Sequence, residues 1–209
     1  MKFVSLLSSG IDSPVATYLI SKKADELILV HADNRPLTDD KEIENFKKIA
    51  SFIKKQISFP LKVYLVPNGD SLLQFKQKCE NRYTCVFCKR MLLRYAEKIV
   101  EKENADAIVM GDSLGQVASQ TLQNIRTIQQ AIKTPVLRPL IGFDKEDIVR
   151  IAKDIGTYDL SILSSEGCSA VPNKPSTRAK IDDVILEEKK LDVEELVKKA
   201  IKKSNLIKT

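Results

Sequence analysis

Along most of the chain, short apolar runs alternate with longer stretches in which apolar residues recur every three or four positions. The runs at 2–7, 26–31, 61–67 and 107–112 read as buried strands, and a short one follows at 134–140. Between them lie helical patterns: one from Pro14, which suits a first helical turn, and one over 38–56 with Ile43, Phe46, Ile49, Ala50 and Ile53 on one face. Others cover 90–103, with Leu92, Leu93, Ala96, Ile99 and Val100, and 118–132. A further helix, with Asp144 placed to cap it, carries Ile148, Ile151, Ala152 and Ile155 and stops at Gly156. This order predicts an α/β fold, a Rossmann-like parallel sheet with helices on both faces. From Ser164 the chain becomes polar and proline-bearing, as a surface or active-site loop would, before two short helical segments. The expected division is a main domain over 1–180 and a helical extension over 181–209.

Composition narrows the class. With 209 residues, 43% hydrophobic, 6% aromatic and no Trp, one domain can bury a core built mostly of Leu, Ile and Val without disulfides. No apolar stretch approaches the roughly 20 residues that span a bilayer. An acidic residue follows the first apolar run too soon for a signal peptide, so no membrane partner and a cytoplasmic location are expected. Thirty-four Lys and Arg against 28 Asp and Glu leave a net +6, which suits a polyanionic partner without demanding one.

Candidate chemistry falls in three places. The first is SSGIDS, residues 8–13, between a strand and a helix, where backbone N–H groups and a helix start can hold phosphate. Gly10 admits close approach, Ser8, Ser9 and Ser13 offer hydroxyls, and Asp12 makes sense beside phosphate if Mg²⁺ accompanies the nucleotide. The plainer alternative is a serine-rich turn that only caps its helix. No Walker or GxGxxG sequence is present. The second place is the cysteines: Cys85 and Cys88 form a CxxC pair, Cys79 lies six positions upstream, and Cys168 sits in the polar loop. Such a set suits zinc, an iron–sulfur cluster or redox chemistry, and spacing does not choose among them. The third is scattered charge: Lys89, Arg90 and Arg94 beside the CxxC pair, Lys174, Arg178 and Lys180 after Cys168, and terminal lysines at 198, 199, 202, 203 and 208 offer phosphate contacts or ordinary solvated surface.

SSGIDSPVA resembles the PP-loop of ATP pyrophosphatases. The later runs at 111–125, 136–162 and 168–179 are similar, in the same order, to the tRNA 4-thiouridine synthetases, a family of tRNA sulfurtransferases. The resemblance implies a PP-loop, adenine nucleotide alpha hydrolase-like fold. It also implies ATP-dependent adenylation of a tRNA uridine with release of pyrophosphate, then displacement of AMP by sulfur. It assigns Ser8, Ser9, Gly10, Asp12 and Ser13 to the pyrophosphate, and Leu6, Leu7, His31, Ala32, Lys89, Gly111 and Gln120 to the rest of the nucleotide site. His31, the sole histidine, is as readily a structural group closing its strand. Lys145 is the implied catalytic lysine, whose plainer reading is an exposed lysine in a helix's first turn, and Asp12 and Cys168 are the other catalytic candidates. Relatives of archaeal type further imply a [4Fe–4S] cluster on Cys85, Cys88 and Cys168, with zinc the alternative and Cys79 a fourth ligand or a bystander. The matched motifs include neither a THUMP nor a rhodanese region, so a stand-alone form is expected. Sulfide or a persulfide carrier would then be the sulfur donor, and a separate THUMP-containing protein or a homodimer partner would help hold tRNA. A small-molecule PP-loop ligase with structural zinc and a non-catalytic nucleotide- or RNA-binding subunit are the competing functions. Two glycines in the usual loop correspond here to Ser9 and Gly10.

Overall fold

A computed structural model describes residues 1–207; Lys208 lies outside the described residues. Strands β1 (Lys2–Leu6), β2 (Glu26–Asp33), β3 (Leu61–Pro67), β4 (Ala107–Val109), β5 (Val136–Leu137) and β6 (Asn205–Leu206) form one sheet in the order β5-β4-β1-β2-β3-β6. All neighbours are parallel except β6, which pairs antiparallel with β3. Both faces of the central strands are apolar, so both are covered. On one side Val4, Leu6, Ile28, Val30, Tyr64 and Val66 pack with α4 (Thr84–Glu103), α8 (Ile181–Glu188) and α9 (Val193–Lys202). On the other, Phe3, Leu27, Leu29 and Val63 meet α1 (Asp12–Ser21), α2 (Asp40–Gln56) and α6 (Lys145–Asp154). The expected α/β sheet with helices on both faces is the fold observed.

Several boundaries differ from the pattern's prediction. The helix expected to begin at Arg90 starts at Thr84, because Val86 and Phe87 are buried and extend its apolar stripe backward through the CxxC pair. The segment before the cysteines is a further helix, α3 (Gly69–Lys78), whose buried apolar residues are only Leu72 and Phe75, too few to announce it. The helix expected over 118–132 is a 3-10 turn followed by α5 (Leu122–Gln129), restarted where Thr121 Oγ1 accepts a hydrogen bond from Asn124 N. Asp144 occupies the position before α6, but its side chain makes no capping bond; Glu146 and Asp147 supply the acidic first turn. A one-turn helix, α7 (Tyr158–Ser161), follows Gly156, whose φ of +78° is the left-handed conformation that ends α6. Among the described residues no helix is long and apolar enough to cross a membrane.

Candidate active site

The strand order reverses between β1 and β4, and open α/β sheets place ligands beyond the strand carboxyl ends at such a point. There the chain forms a cavity of about 290 Å³. Of the residues assigned to nucleotide, Leu6, Leu7, Ser8, Gly10, Asp12, Ser13, His31, Ala32, Lys89, Gly111 and Gln120 all line it. Ser9 does not; its hydroxyl donates instead to Glu42 at 2.7 Å.

The phosphate-type turn is shaped by its own serines. Ser13 Oγ accepts from Ser8 N at 2.8 Å and lies 2.9 Å from Ser8 Oγ, folding the turn back on the start of α1. No side chain caps α1, so its first-turn N–H groups remain for a ligand, contrary to the capping alternative. Gly111 lies against this turn: a Cβ there would stand 2.7 Å from Ser13 Cα, so only glycine lets the end of β4 approach so closely.

His31 is buried and stacks on Phe46 at 4.2 Å. Its Nδ1 lies 2.8 Å from Leu7 O, and a carbonyl only accepts, so Nδ1 carries the proton. Burial lowers its pKa and keeps the ring neutral, which leaves Nε2 a bare acceptor. Nε2 and Gln120 Oε1 are both buried without a hydrogen-bond partner, so this wall offers acceptors to a ligand's amine or hydroxyl donors. Opposite in charge is Lys89, whose Nζ donates to Asp112 Oδ1 at 2.6 Å. Burial opposes ionisation of Asp112, but Lys89 and Arg138 outweigh it and hold the carboxyl below its usual range.

Lys145, remote in sequence, donates to Asp12 Oδ1 at 2.6 Å, so the structure joins two of the catalytic candidates at the cavity rim. The thiols form a separate neighbourhood. Cys85 and Cys88 lie one turn apart at the start of α4, and Cys88 and Cys168 pack against Leu37, Leu72 and Ala170. Burial raises the pKa of both CxxC thiols, with Cys168 adding to the effect and Lys89 opposing it; Cys88 is pushed up to about 12. Cys79 stands apart and donates to the Glu187 carbonyl at 3.3 Å. All four thiols are free, and among the described residues no three His, Cys, Asp or Glu side chains converge as they would around one ion.

Pattern reading missed Asn34, Glu42 and Asp112 in the cavity wall. Asp112 ended a recognised strand and Glu42 sits three residues after the helix-capping Asp39; both positions were visible, but their direction toward the cavity was not. Among the charged groups near the thiols, Arg90 and Arg94 face inward: both grip the carboxylate of Glu188.

Fold and cavity together define a PP-loop ATP pyrophosphatase type of domain. The family model described as thiamine biosynthesis protein (ThiI) matches residues 1–193. The chain is 45% identical over 200 residues to a probable tRNA sulfurtransferase of Methanobrevibacter smithii, covering 95% of this chain and 52% of that one. It is 39% identical to the counterpart in Methanosarcina mazei, covering 99% and 51%. A crystal structure of a 4-thiouridine synthetase–RNA complex with bound ATP superposes with a TM-score of 0.93 at 35% identity, covering 99% of this chain and 55% of that one. NMN synthetase from Francisella tularensis shares the fold, with a TM-score of 0.58 at 13% identity. The chain belongs to the ThiI family, and it spans about half the length of the curated relatives it matches.

Proposed function

We propose that this chain is the adenylating part of an ATP-dependent tRNA sulfurtransferase that makes 4-thiouridine. The observation that carries the reading is that eleven of the residues which the family resemblance assigns to nucleotide line one cavity at the sheet's switch point. In this reading Ser8, Gly10, Ser13 and the start of α1 hold the ATP phosphates, with Ser9 braced on Glu42 behind them. Leu6, Leu7, His31, Ala32, Gly111 and Gln120 enclose the nucleoside, and Lys89 offers a charge-assisted donor. The uridine O4 attacks the α-phosphate and pyrophosphate leaves; a sulfur nucleophile then adds at C4 and AMP departs with the original oxygen. Lys145 stabilises the charge developing on the phosphates. Asp12 and Glu42 are hard oxygen donors at the same cavity and suit Mg²⁺, which would neutralise phosphate charge there.

Cys85, Cys88 and Cys168 form an all-thiol donor set, which suits a soft metal. Cys88 and Cys168 share a neighbourhood, and Cys85 lies one helical turn from Cys88, a thiol set that suits an iron–sulfur cluster or, as the alternative, zinc. These three residues would hold a [4Fe–4S] group, which would supply a coordination position for incoming sulfur. Sulfide or a persulfide carrier as donor, tRNA held with the aid of a THUMP-containing protein or a second copy, and a cytoplasmic setting complete the reading.

Anaerobic incubation with ATP, Mg²⁺, sulfide and unmodified tRNA, followed by nucleoside analysis, tests it. 4-Thiouridine is expected, with Lys145→Ala slowing its formation by about 10²- to 10³-fold; a different product, or full activity in K145A, would overturn it.

A further inference from the structure

The loop that carries Cys168 lies along the start of α2. Asn45 Nδ2 donates to Leu163 O at 3.4 Å, and Ser165 Oγ donates to Glu42 Oε2 at 3.5 Å. Glu166 N donates to Asp39 Oδ2 at 3.3 Å, and Ser169 donates to Leu37 O through both N and Oγ, at 2.8 and 3.0 Å. One of these contacts has a second end: the same Glu42 Oε2 accepts Ser9 Oγ of the phosphate-type turn at 2.7 Å. Service as an oxygen donor for Mg²⁺ does not require this carboxylate to hold two serines from separate segments, so those bonds call for a second role. Its geometry supplies one, because a single oxygen ties the turn before α1 to the segment three residues before Cys168.

We propose that Glu42 is a positioning residue that couples occupancy of the nucleotide cavity to the placement of Cys168. The proposal rests on the nucleotide reading of that cavity. Nucleotide phosphates at the turn draw Ser9 and crowd Glu42. The 163–169 segment, held by the same carboxylate, then shifts the exposure of the Cys168 thiol. The hydrogen-bond acceptor carries the coupling, so glutamine, which keeps a carbonyl oxygen there, substitutes for glutamate and alanine does not.

The test is site-resolved alkylation of Cys168 by iodoacetamide in metal-free protein, where the thiol is free, read by mass spectrometry, with and without a saturating non-hydrolysable ATP analogue and Mg²⁺. Cys79 serves as the internal reference. Wild type is expected to show a nucleotide-dependent change in Cys168 rate of about fivefold, the lower end of ordinary site-to-site coupling. E42A and S165A are expected to reduce that change to less than about twofold, while E42Q retains it. Ser165 does not line the cavity, so S165A keeps its nucleotide affinity and separates lost coupling from lost binding or folding. An equal nucleotide effect in wild type, E42A and S165A would overturn the proposal, as would no effect in wild type with the analogue bound. Calorimetry on the same samples reads the underlying assignment by itself: no analogue binding would overturn the nucleotide reading.

Discussion

Two buried carboxylates, Asp112 and Glu188, are each gripped by two cations, and adjacent residues of α4, Lys89 and Arg90, take part in the two grips. Lys89 and Arg138 hold Asp112; Arg90 and Arg94 hold Glu188. The Glu188 cluster is closed. Arg90 meets it through Nε and Nη2 at 2.8 Å each, Arg94 adds two more bonds at 2.8 Å, and Arg90 Nη1 ends on Thr127 O. It staples α8 to α4. The Asp112 cluster is open: Lys89 and Asp112 line the cavity, Gln120 there leaves an acceptor unused, and Arg138 Nη2 behind them is buried without a partner. A satisfied ionic cluster in the core is a structural device, whereas one with spare donors and acceptors beside a cavity is prepared for a ligand.

The comparison breaks most visibly if one side of the closed cluster is removed. Glu188→Ala leaves Arg90 charged and buried, and stability in urea unfolding should fall by about 3–5 kcal/mol. A loss under 1 kcal/mol would mean the staple is ornamental. Acid gives a second, sharper measure. Burial disfavours the Glu188 anion, but Arg90 and Arg94 outweigh it and bring its pKa to about 2. A carboxyl held below its ordinary range stabilises the fold above the unfolded pKa and loses that contribution as pH falls toward the folded one. The advantage of wild type over E188Q should therefore shrink by about 3 kcal/mol between pH 5 and pH 2, compared by denaturant unfolding.

Lys89→Ala tests the open cluster. Asp112 keeps Arg138, so stability should drop less than in E188A, while the binding of ATP weakens by about 1.5–3 kcal/mol, the range for a hydrogen bond to a charged group. Unchanged affinity by calorimetry would remove Lys89 from the ligand's reach. The smallest effect is expected from Lys190→Ala. Its ion pair with Glu187 is as short as that of Lys89, 2.6 Å, but the lysine side chain lies in solvent, which screens the pair, so thermal unfolding should barely register its loss. An effect as large as that of E188A would show that contact length, not burial, sets the energy.

Strand positions and the phosphate-type turn were legible in the pattern itself, because β1, β2 and β4 are largely apolar runs and polar chemistry follows them; the other cavity residues came through the family resemblance. SSGIDS begins within two residues of the end of β1, and His31 and Gly111, which the resemblance assigns, lie within two residues of the ends of β2 and β4, so both routes point to the same edge of the sheet. Asp112 and Glu42 were equally visible as letters but not as site residues, because direction depends on contacts from elsewhere. Arg90 was read with Lys89 as a phosphate contact or ordinary solvated surface and is neither: it is buried on Glu188, about 100° around the helix from Lys89.

By itself, then, the sequence determined the alternation of strands and helices, the place of the phosphate-type turn and the CxxC pair, since these follow from local periodicity and residue chemistry. Only tertiary structure decided that Lys145 meets Asp12 and that Cys168 lies beside Cys88. The same holds for the joint hold of Glu42 on Ser9 and Ser165 and for the turning of Arg90 inward to Glu188. Each joins residues far apart along the chain, and local patterning carries no information about such pairs until the sheet and its two helical layers have packed.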